Sequence, residues 1–200
     1  MLSYLDPIIF PNRCELLEIT PQRFVYPIFK NGSSSLYKSG FRVVTDLTGI
    51  DQVDVFVREP RERFISGVQT FLEHLDPSLD KKTALYFVNE YLFLNRHFCP
   101  QFHWLLNLAR QKPMQFRLLP FSHIKEITNK NANKSQRDSQ LADVFGPRID
   151  FYLQLDRVLH EDLIGQTVSM GDIVDCVRIK YPEAYQEIIR YSENICDALG

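Results

Sequence analysis

A lysine, a glycine and three consecutive serines stand together near the start of the chain, in the stretch FKNGSSSL. Glycine lets a backbone approach a ligand without a Cβ clash, the lysine adds a positive charge, and the hydroxyls add hydrogen-bond donors. Backbone N–H groups at the start of a helix favour anions too. A phosphate could bind here, although a Gly-Ser turn capped by a serine explains a single such match better. The candidate anion-binding residues of this stretch are Lys30, Asn31, Gly32, Ser33, Ser34 and Ser35.

A second candidate anion site lies in the stretch VFVREPRERFISG. Arg58 follows an apolar run of strand length, and Pro60 occupies a favourable first helical position. An arginine can bind a phosphate through two parallel N–H bonds. Ser66, about two helical turns further on, could supply another donor to the same group. Arg61 and Arg63 are interpreted as ordinary surface charges.

Two other chemistries fit the residues poorly. The pattern of a P-loop kinase is G-x-x-x-x-G-K-[ST], whereas Lys30 precedes its glycine and no second glycine stands at the required spacing. His97, Cys99 and His103 are potential zinc ligands, but Pro100 interrupts them and no fourth ligand is near. We therefore expect neither a kinase nor a metal site.

The elements that would position these residues alternate between strands and helices. Apolar runs predict strands at 23–29, 53–59 and 115–121, and helical spacing predicts helices in SSLYKSGF and at 60–75, 83–95, 102–110 and 181–200. This order favours an α/β class: a P-loop-like three-layer fold with a mostly parallel central sheet flanked by helices, and a helical C-terminal part. Ligands bind such sheets at the carboxyl ends of the strands, where Lys30 and Arg58 are predicted. Segment 128–140 has no large apolar residue and is predicted to be a mobile loop.

Length and composition suit a single domain over residues 1–200. With 44% hydrophobic residues and a net charge of −2, the chain lacks the broad positive field of a general nucleic-acid binder. Four separated cysteines predict free thiols in a reducing compartment. No signal-peptide pattern and no apolar run of ~18 residues is present, which predicts a soluble cytoplasmic protein without a membrane span.

Together, the two anion-binding stretches resemble the sulfotransferase family. FKNGSSSL is similar to that family's 5′-phosphosulfate loop, K-x-G-[TS]-[TS], and VREPRERFIS is similar to its 3′-phosphate site, R-[DE]-P-x-x-R-x-x-S. NRHFCPQFHW resembles the H-x-x-P-Q stretch of the carbohydrate and Golgi-type branch, and NKNANKSQ stands where that branch has a polar loop closing over the nucleotide. The chain departs from the pattern at Phe29, where proline is usual, and in its short length.

The resemblance implies an enzyme that moves a sulfuryl group from 3′-phosphoadenosine-5′-phosphosulfate (PAPS) to a hydroxyl or amine. The acceptor would be a small molecule or a saccharide, and no metal would take part. Lys30 would act on the leaving oxygen. The residues implied to bind the nucleotide are Lys30, Asn31, Gly32, Ser33, Ser34, Ser35, Arg58, Ser66 and Lys134.

The resemblance also implies a base that takes the proton of the acceptor. His97 is the first candidate, because it begins the H-x-x-P-Q stretch and a histidine is largely neutral near pH 7. His103 and Glu62 are the other candidates. A nucleotide-binding regulatory or scaffold protein without turnover stays open as an alternative function.

Overall fold

The computed structural model describes most of the chain between residues 14 and 186. The described residues are 14–73, 80, 82–83, 86, 88, 97–129, 150 and 153–186. Lys134, most of the predicted loop at 128–140, most of the predicted helix at 83–95 and the end of the predicted C-terminal helix lie outside these residues.

Among the described residues, six strands form one mixed sheet. They are β1 (Leu16–Thr20), β2 (Arg23–Val25), β3 (Arg42–Val44), β4 (Gln52–Val57), β5 (Gln115–Pro120) and β6 (Thr167–Ser169). Their order across the sheet is β3-β1-β2-β4-β5-β6. Strands β2, β4 and β5 run parallel, whereas β1 pairs antiparallel with β2 and β3, and β6 pairs antiparallel with β5.

The α/β class is confirmed, but the prediction of a mostly parallel sheet is wrong. Only Pro21 and Gln22 separate β1 from β2, and so short a connection allows antiparallel pairing alone, since parallel strands need a long crossover. Strands β1, β3 and β6 were not predicted. The parallel part of the sheet is therefore restricted to the three strands that the apolar runs did predict.

The strands β4 and β5 lie where the apolar runs predict them, whereas β2 ends earlier than residue 29. The Tyr26 N–H still donates to the carbonyl of Asp54 at 2.9 Å. Pro27 has no N–H to donate, so the ladder cannot continue beyond it. The chain leaves the sheet at this point and enters the segment that contains Lys30.

Among the described residues, the helices with defined bounds are α1 (Ser33–Tyr37), α2 (Pro60–Glu73), α3 (Gln101–Gln111), α4 (Ile124–Thr128) and α5 (Met170–Lys180), with a 3₁₀ turn at Phe121–His123 and a π-helical turn at Val158–Asp162. Helices α2 and α3 match the predictions closely. Helix α2 begins after Glu59, whose carboxylate accepts the backbone N–H groups of Arg61 at 2.9 Å and Glu62 at 2.6 Å. This carboxylate satisfies donors that the first turn of a helix leaves without an intrahelical partner.

Two apolar clusters cover the two faces of the sheet. Alternate side chains of β4 point to opposite faces, as the strand period of two requires. Val55 belongs to the larger cluster, with Phe64 of α2 and Phe102 of α3. Phe56 belongs to the smaller cluster, with Leu36 of α1 and Ile124 of α4. The sheet is thus covered on both faces, and the segments after β2 and β4 emerge at its edge.

Helix length and polarity were also compared with what a bilayer requires. None of the helices within the described residues is long and apolar enough to cross a membrane.

Candidate anion site

The two predicted anion-binding stretches meet at the carboxyl ends of β2 and β4. The Arg58 guanidinium donates from Nη1 to the backbone carbonyl of Lys30 at 3.1 Å. Arg58 is 8% exposed, and its guanidinium carbon lies 5.3 Å from the centroid of the Phe121 ring. The side chain of Arg58 therefore joins two segments that lie 28 residues apart and were each predicted to bind a phosphate.

Lys30 has a backbone conformation that is uncommon for a residue with a side chain. Its φ is 68°, in the left-handed region, where non-glycine residues are rare. Its ammonium donates to the hydroxyl of Thr70 on α2. That hydroxyl donates in turn to the carbonyl of Ser66 at 3.2 Å, one helical turn earlier. The side chain of Lys30 is thus directed to the part of α2 that carries the other predicted phosphate ligand.

Burial lowers the pKa of the Lys30 ammonium. The nearby Glu73 carboxylate raises this pKa, whereas the positive charges of Arg58 and Arg63 lower it further. Three cations therefore act on one another at this edge of the sheet. An anion placed among them would relieve their mutual repulsion, since an opposite charge favours the charged form of each.

The three serines differ in their access to solvent. Ser33 is buried, Ser34 is exposed, and Ser35 is half-buried, with its carbonyl accepting the Ser39 hydroxyl at 2.9 Å. Helix α1 has only five residues, so its dipole is short. An anion would be held here mainly by the hydroxyls and the backbone N–H groups of the loop.

Gly32 is required by packing within the protein. Its φ of 78° lies in the left-handed region that glycine adopts without strain. A Cβ at this position would overlap the Cδ1 atom of Ile124 and would lie 3.3 Å from the Phe121 ring. The sequence pattern suggested that this glycine lets a ligand approach, but in the structure α4 and the 3₁₀ turn occupy the space beside it.

A buried glutamine joins both stretches to helix α3. The side-chain carbonyl of Gln101 accepts the Arg58 backbone N–H at 3.0 Å and the Asn31 amide. Its side-chain amide donates to the Arg58 carbonyl at 3.0 Å. Gln101 is 1% exposed and bonds the end of β4 as a neighbouring strand would. We call Gln101, Asn31, Arg58, Arg63 and Asp156 the Gln101 network.

Asp156 anchors this network at the start of α3. Its carboxylate accepts the backbone N–H of Gln101 at 2.7 Å and that of Phe102 at 2.9 Å. It also accepts the Gln101 side-chain amide at 3.3 Å. Burial raises the pKa of Asp156, and the positive charge of Arg63 opposes that rise. The carboxylate therefore caps a helix and balances a buried cation.

The prediction that Arg63 is a surface charge is wrong. Its side chain is 0% exposed and donates from Nε to the Phe29 carbonyl at 3.1 Å and from Nη1 to the Cys99 carbonyl. Arg63 shares the buried face of α2 with Phe64 and Phe71, so the helical period places it against the core. It fastens the segments before Lys30 and after His97 to α2.

Arg61 and Glu62 lie on the outer part of α2. Arg61 pairs with Asp150 at 3.3 Å, and both side chains are well exposed, as predicted for a surface charge. Glu62 lies 3.9 Å from the Nε atom of Arg58. In this position Glu62 balances the charge of Arg58.

His97 lies close to the Lys30 segment. Its ring stacks on Phe29, with ring centroids 5.7 Å apart and an interplanar angle of 11°. A Cβ at Gly67 would overlap the backbone carbonyl of His97, so this glycine lets the segment approach α2 closely. The first candidate base is therefore held beside the residue that precedes the candidate catalytic lysine.

His103 has a different environment. It is 8% exposed, and burial, assisted by the charge of Arg110, lowers its pKa to about 4. The ring is therefore neutral near pH 7, but it lies on the buried side of helix α3. Of the two histidines, His97 has the greater access to solvent.

The three cysteines within the described residues all carry free thiols. Cys14 and Cys99 are buried free thiols, and Cys176 is a half-buried one. Within the part of the chain that the structure describes, no group of three or more His, Cys, Asp or Glu side chains is arranged to hold a metal ion.

Sequence reasoning missed Gln101, Asp156 and Thr70. A signal existed for Asp156, because it is a carboxylate among the buried apolar residues Leu155 and Val158. Buried carboxylates need partners, so an acidic residue among buried apolar residues indicates a cap or an ion pair. Gln101 belongs to the H-x-x-P-Q stretch, but that pattern by itself assigns it no role.

Comparison of the chain with protein-family models, with curated proteins and with solved structures gave no match. The resemblance to sulfotransferases therefore rests on the sequence motifs alone.

Proposed function

We propose that this chain is a PAPS-dependent sulfotransferase on a P-loop-like fold. The observation that carries the proposal is the hydrogen bond from Arg58 to the carbonyl of Lys30, because it joins the two phosphate-binding motifs at one sheet edge. The two motifs come from different parallel strands, which is where α/β proteins bind ligands. Neither motif would carry this conclusion alone.

The charges of the site suit a nucleotide with separate phosphates. Lys30, Arg58 and Arg63 are close enough for the two arginines to lower the pKa of the lysine. In the proposal Arg58 and Ser66 hold the 3′-phosphate, while the loop around Ser34 holds the 5′-phosphosulfate. Arg63 is fully buried and hydrogen-bonded to backbone carbonyls. It would therefore attract the phosphates through its charge without contacting them.

The chain's own residues would supply positioning and charge stabilisation. PAPS would provide the activated sulfuryl group. Lys30 would move its ammonium from Thr70 to the leaving oxygen, where negative charge develops. A lysine with a lowered pKa gives up a proton more readily, which suits this role. His97, stacked on Phe29, would take the proton of the acceptor hydroxyl or amine.

Nucleotide binding tests the 3′-phosphate site. We expect 3′-phosphoadenosine 5′-phosphate to raise the melting temperature of the chain more than AMP does. In Arg58→Gln the two nucleotides should act alike, because the variant removes the group that distinguishes them. Arg61→Gln is the matched control, since this neighbouring arginine is exposed and pairs with Asp150. Equal responses of the unaltered chain to both nucleotides would refute the assignment.

Sulfate transfer tests catalysis. With radiolabelled PAPS and a panel of saccharide and small-molecule acceptors, Lys30→Ala should lower transfer by about 10²–10³-fold, as the loss of a charge-stabilising donor does in other enzymes. Nucleotide binding should persist in this variant. Binding without transfer by the unaltered chain to any acceptor would favour the non-catalytic regulatory or scaffold alternative.

A further inference from the structure

A cavity of about 360 Å³ opens beside α4, on the sheet face of the smaller apolar cluster. Its lining residues are Arg23, Arg117, Leu119, His123, Glu126 and Ile127. Both arginines contact Asp54 of β4, four residues before Arg58 in the sequence. At about 3.3 Å per strand residue, this position is roughly 13 Å from the candidate anion site. The cavity is therefore a separate feature of the molecule.

One arginine already satisfies the carboxylate below the cavity. Asp54 is 2% exposed, and Arg117 donates to both of its oxygens, from Nε at 2.7 Å and from Nη2 at 2.7 Å. This bidentate geometry is the strongest form of such a pair. Arg23 adds a further bond from Nε to Oδ2 at 2.9 Å. Two guanidinium groups thus share one carboxylate, which leaves an excess positive charge. We call Arg23 and Arg117, together with the Asp54 carboxylate that they share, the arginine pair.

Both arginines keep donors for another partner. Arg23 uses only Nε, and Arg117 uses Nε and Nη2, so the remaining guanidinium nitrogens make no hydrogen bond or ion pair among the described residues. The side chains are 41% and 37% exposed. A rigid fork of N–H donors fits phosphoryl and carboxylate oxygens. If the cluster served only to neutralise Asp54, the second arginine would be superfluous.

The other side of the cavity carries two polar residues from the segment after β5. The exposed His123 can donate an N–H, while the exposed Glu126 brings a negative charge. Leu119 and Ile127 provide an apolar wall. Glu126 would weaken the binding of a simple anion, and it would accept a hydrogen bond from a ligand that also carries a hydroxyl or an amine.

We propose that this cavity binds a small phosphoryl or carboxylate anion through the free donors of Arg23 and Arg117. The ligand is an organic anion of a size that the cavity holds, with a polar group facing Glu126. Its binding does not depend on nucleotide at the other end of the strands.

Calorimetric titration of the full chain with inorganic phosphate and, separately, with succinate in low-salt buffer tests this site. Arg23→Gln should weaken binding about tenfold, the effect of losing one charge-assisted hydrogen bond. Glu126→Gln should strengthen binding, because a like charge is removed. Arg58→Gln is the matched control: it affects phosphate at the candidate anion site and should leave the event that depends on Arg23. The probe with the higher affinity shows whether phosphoryl or carboxylate is preferred.

Two results would overturn the proposal. One is the absence of binding of both probes to the unaltered chain, and the other is equal affinity of the unaltered chain and Arg23→Gln. If circular dichroism shows that Arg23→Gln does not fold, Glu126→Gln decides alone. Glu126 is exposed and makes no ion pair among the described residues, so that variant should fold. An unchanged affinity in Glu126→Gln would then refute the site.

Discussion

The Gln101 network and the arginine pair both combine guanidinium groups with a buried carboxylate, but their guanidinium groups differ in exposure to solvent. In the Gln101 network, Arg63 and Asp156 are both 0% exposed. In the arginine pair, the carboxylate of Asp54 is 2% exposed, while the arginine side chains are 41% and 37% exposed. The charged side chains of the first cluster are all buried. In the second cluster, a buried carboxylate is bonded to partly exposed guanidinium groups.

This difference indicates what each cluster does. A fully buried charge must be hydrogen-bonded, since its desolvation is costly, so the Gln101 network fastens chain segments together. A half-exposed guanidinium keeps donors that can exchange water for a ligand. Gln101, Arg63 and Asp156 therefore support the candidate anion site from behind Arg58, whereas both guanidinium groups of the arginine pair can contact a ligand.

Asp156→Asn should separate the two clusters most strongly. The amide cannot balance the charge of Arg63 and leaves one acceptor fewer for the buried backbone N–H groups at the start of α3, so we expect the free energy of unfolding to fall by about 3 kcal/mol. Urea denaturation measures this loss. Asp150→Asn is the control, because Asp150 pairs with Arg61 and Arg157 at the surface and should cost at most about 1 kcal/mol. Similar losses in both variants would contradict the distinction between buried and solvent-exposed charge clusters.

Gly32→Ala tests the contact that joins the two regions. Ile124 packs against Gly32, and the following turn of α4 carries Glu126 and Ile127 of the cavity wall. We expect Gly32→Ala to lower the free energy of unfolding by about 1–3 kcal/mol more than Gly40→Ala does, because only the former adds an overlap. Both glycines have a positive φ, and a Cβ at Gly40 has no atom within 4 Å. Equal losses in thermal or urea unfolding would show that α4 adjusts freely.

Arg23→Gln should have the smallest effect on stability. Arg117 keeps both hydrogen bonds to Asp54, and a half-exposed ion pair contributes about 1 kcal/mol or less. Arg117→Gln should cost more, because Asp54 would keep only the bond from Arg23. Urea denaturation of the two variants checks the order. A larger loss for Arg23→Gln would mean that Arg23 is the structural partner of the carboxylate.

Much of the central fold could be predicted because its signals are local. The strands β4 and β5 are apolar runs, and α2 has a proline start and a helical apolar face. The same signals placed Lys30 and Arg58 at strand ends. Strands β3 and β6 have only three residues each, too few to show a period of two. Their antiparallel pairing, and hence the mixed sheet, could not be predicted from local pattern.

The candidate site was predicted in part. The meeting of Lys30 and Arg58 followed from strand ends, but the burial of Arg63 did not, since a charged side chain is normally expected at the surface. Its burial depends on carbonyls of Phe29 and Cys99, which lie in other segments. The sequence pattern suggested that Gly32 lets a ligand approach, whereas in the structure it leaves room for the side chain of Ile124. This contact could not be predicted, because Ile124 is distant in sequence.

The sequence by itself determined strands β2, β4 and β5, the helices α2 and α3, and the two candidate phosphate motifs with their places after β2 and β4. These features depend on residues that are neighbours along the chain. Only the tertiary structure decided which charged side chains are buried from solvent. Gln101 and Asp156 are 55 residues apart, and Arg23 and Asp54 are 31 residues apart. Desolvation and pairing depend on such distant contacts, and these decide which polar groups fasten the fold and which can meet a ligand.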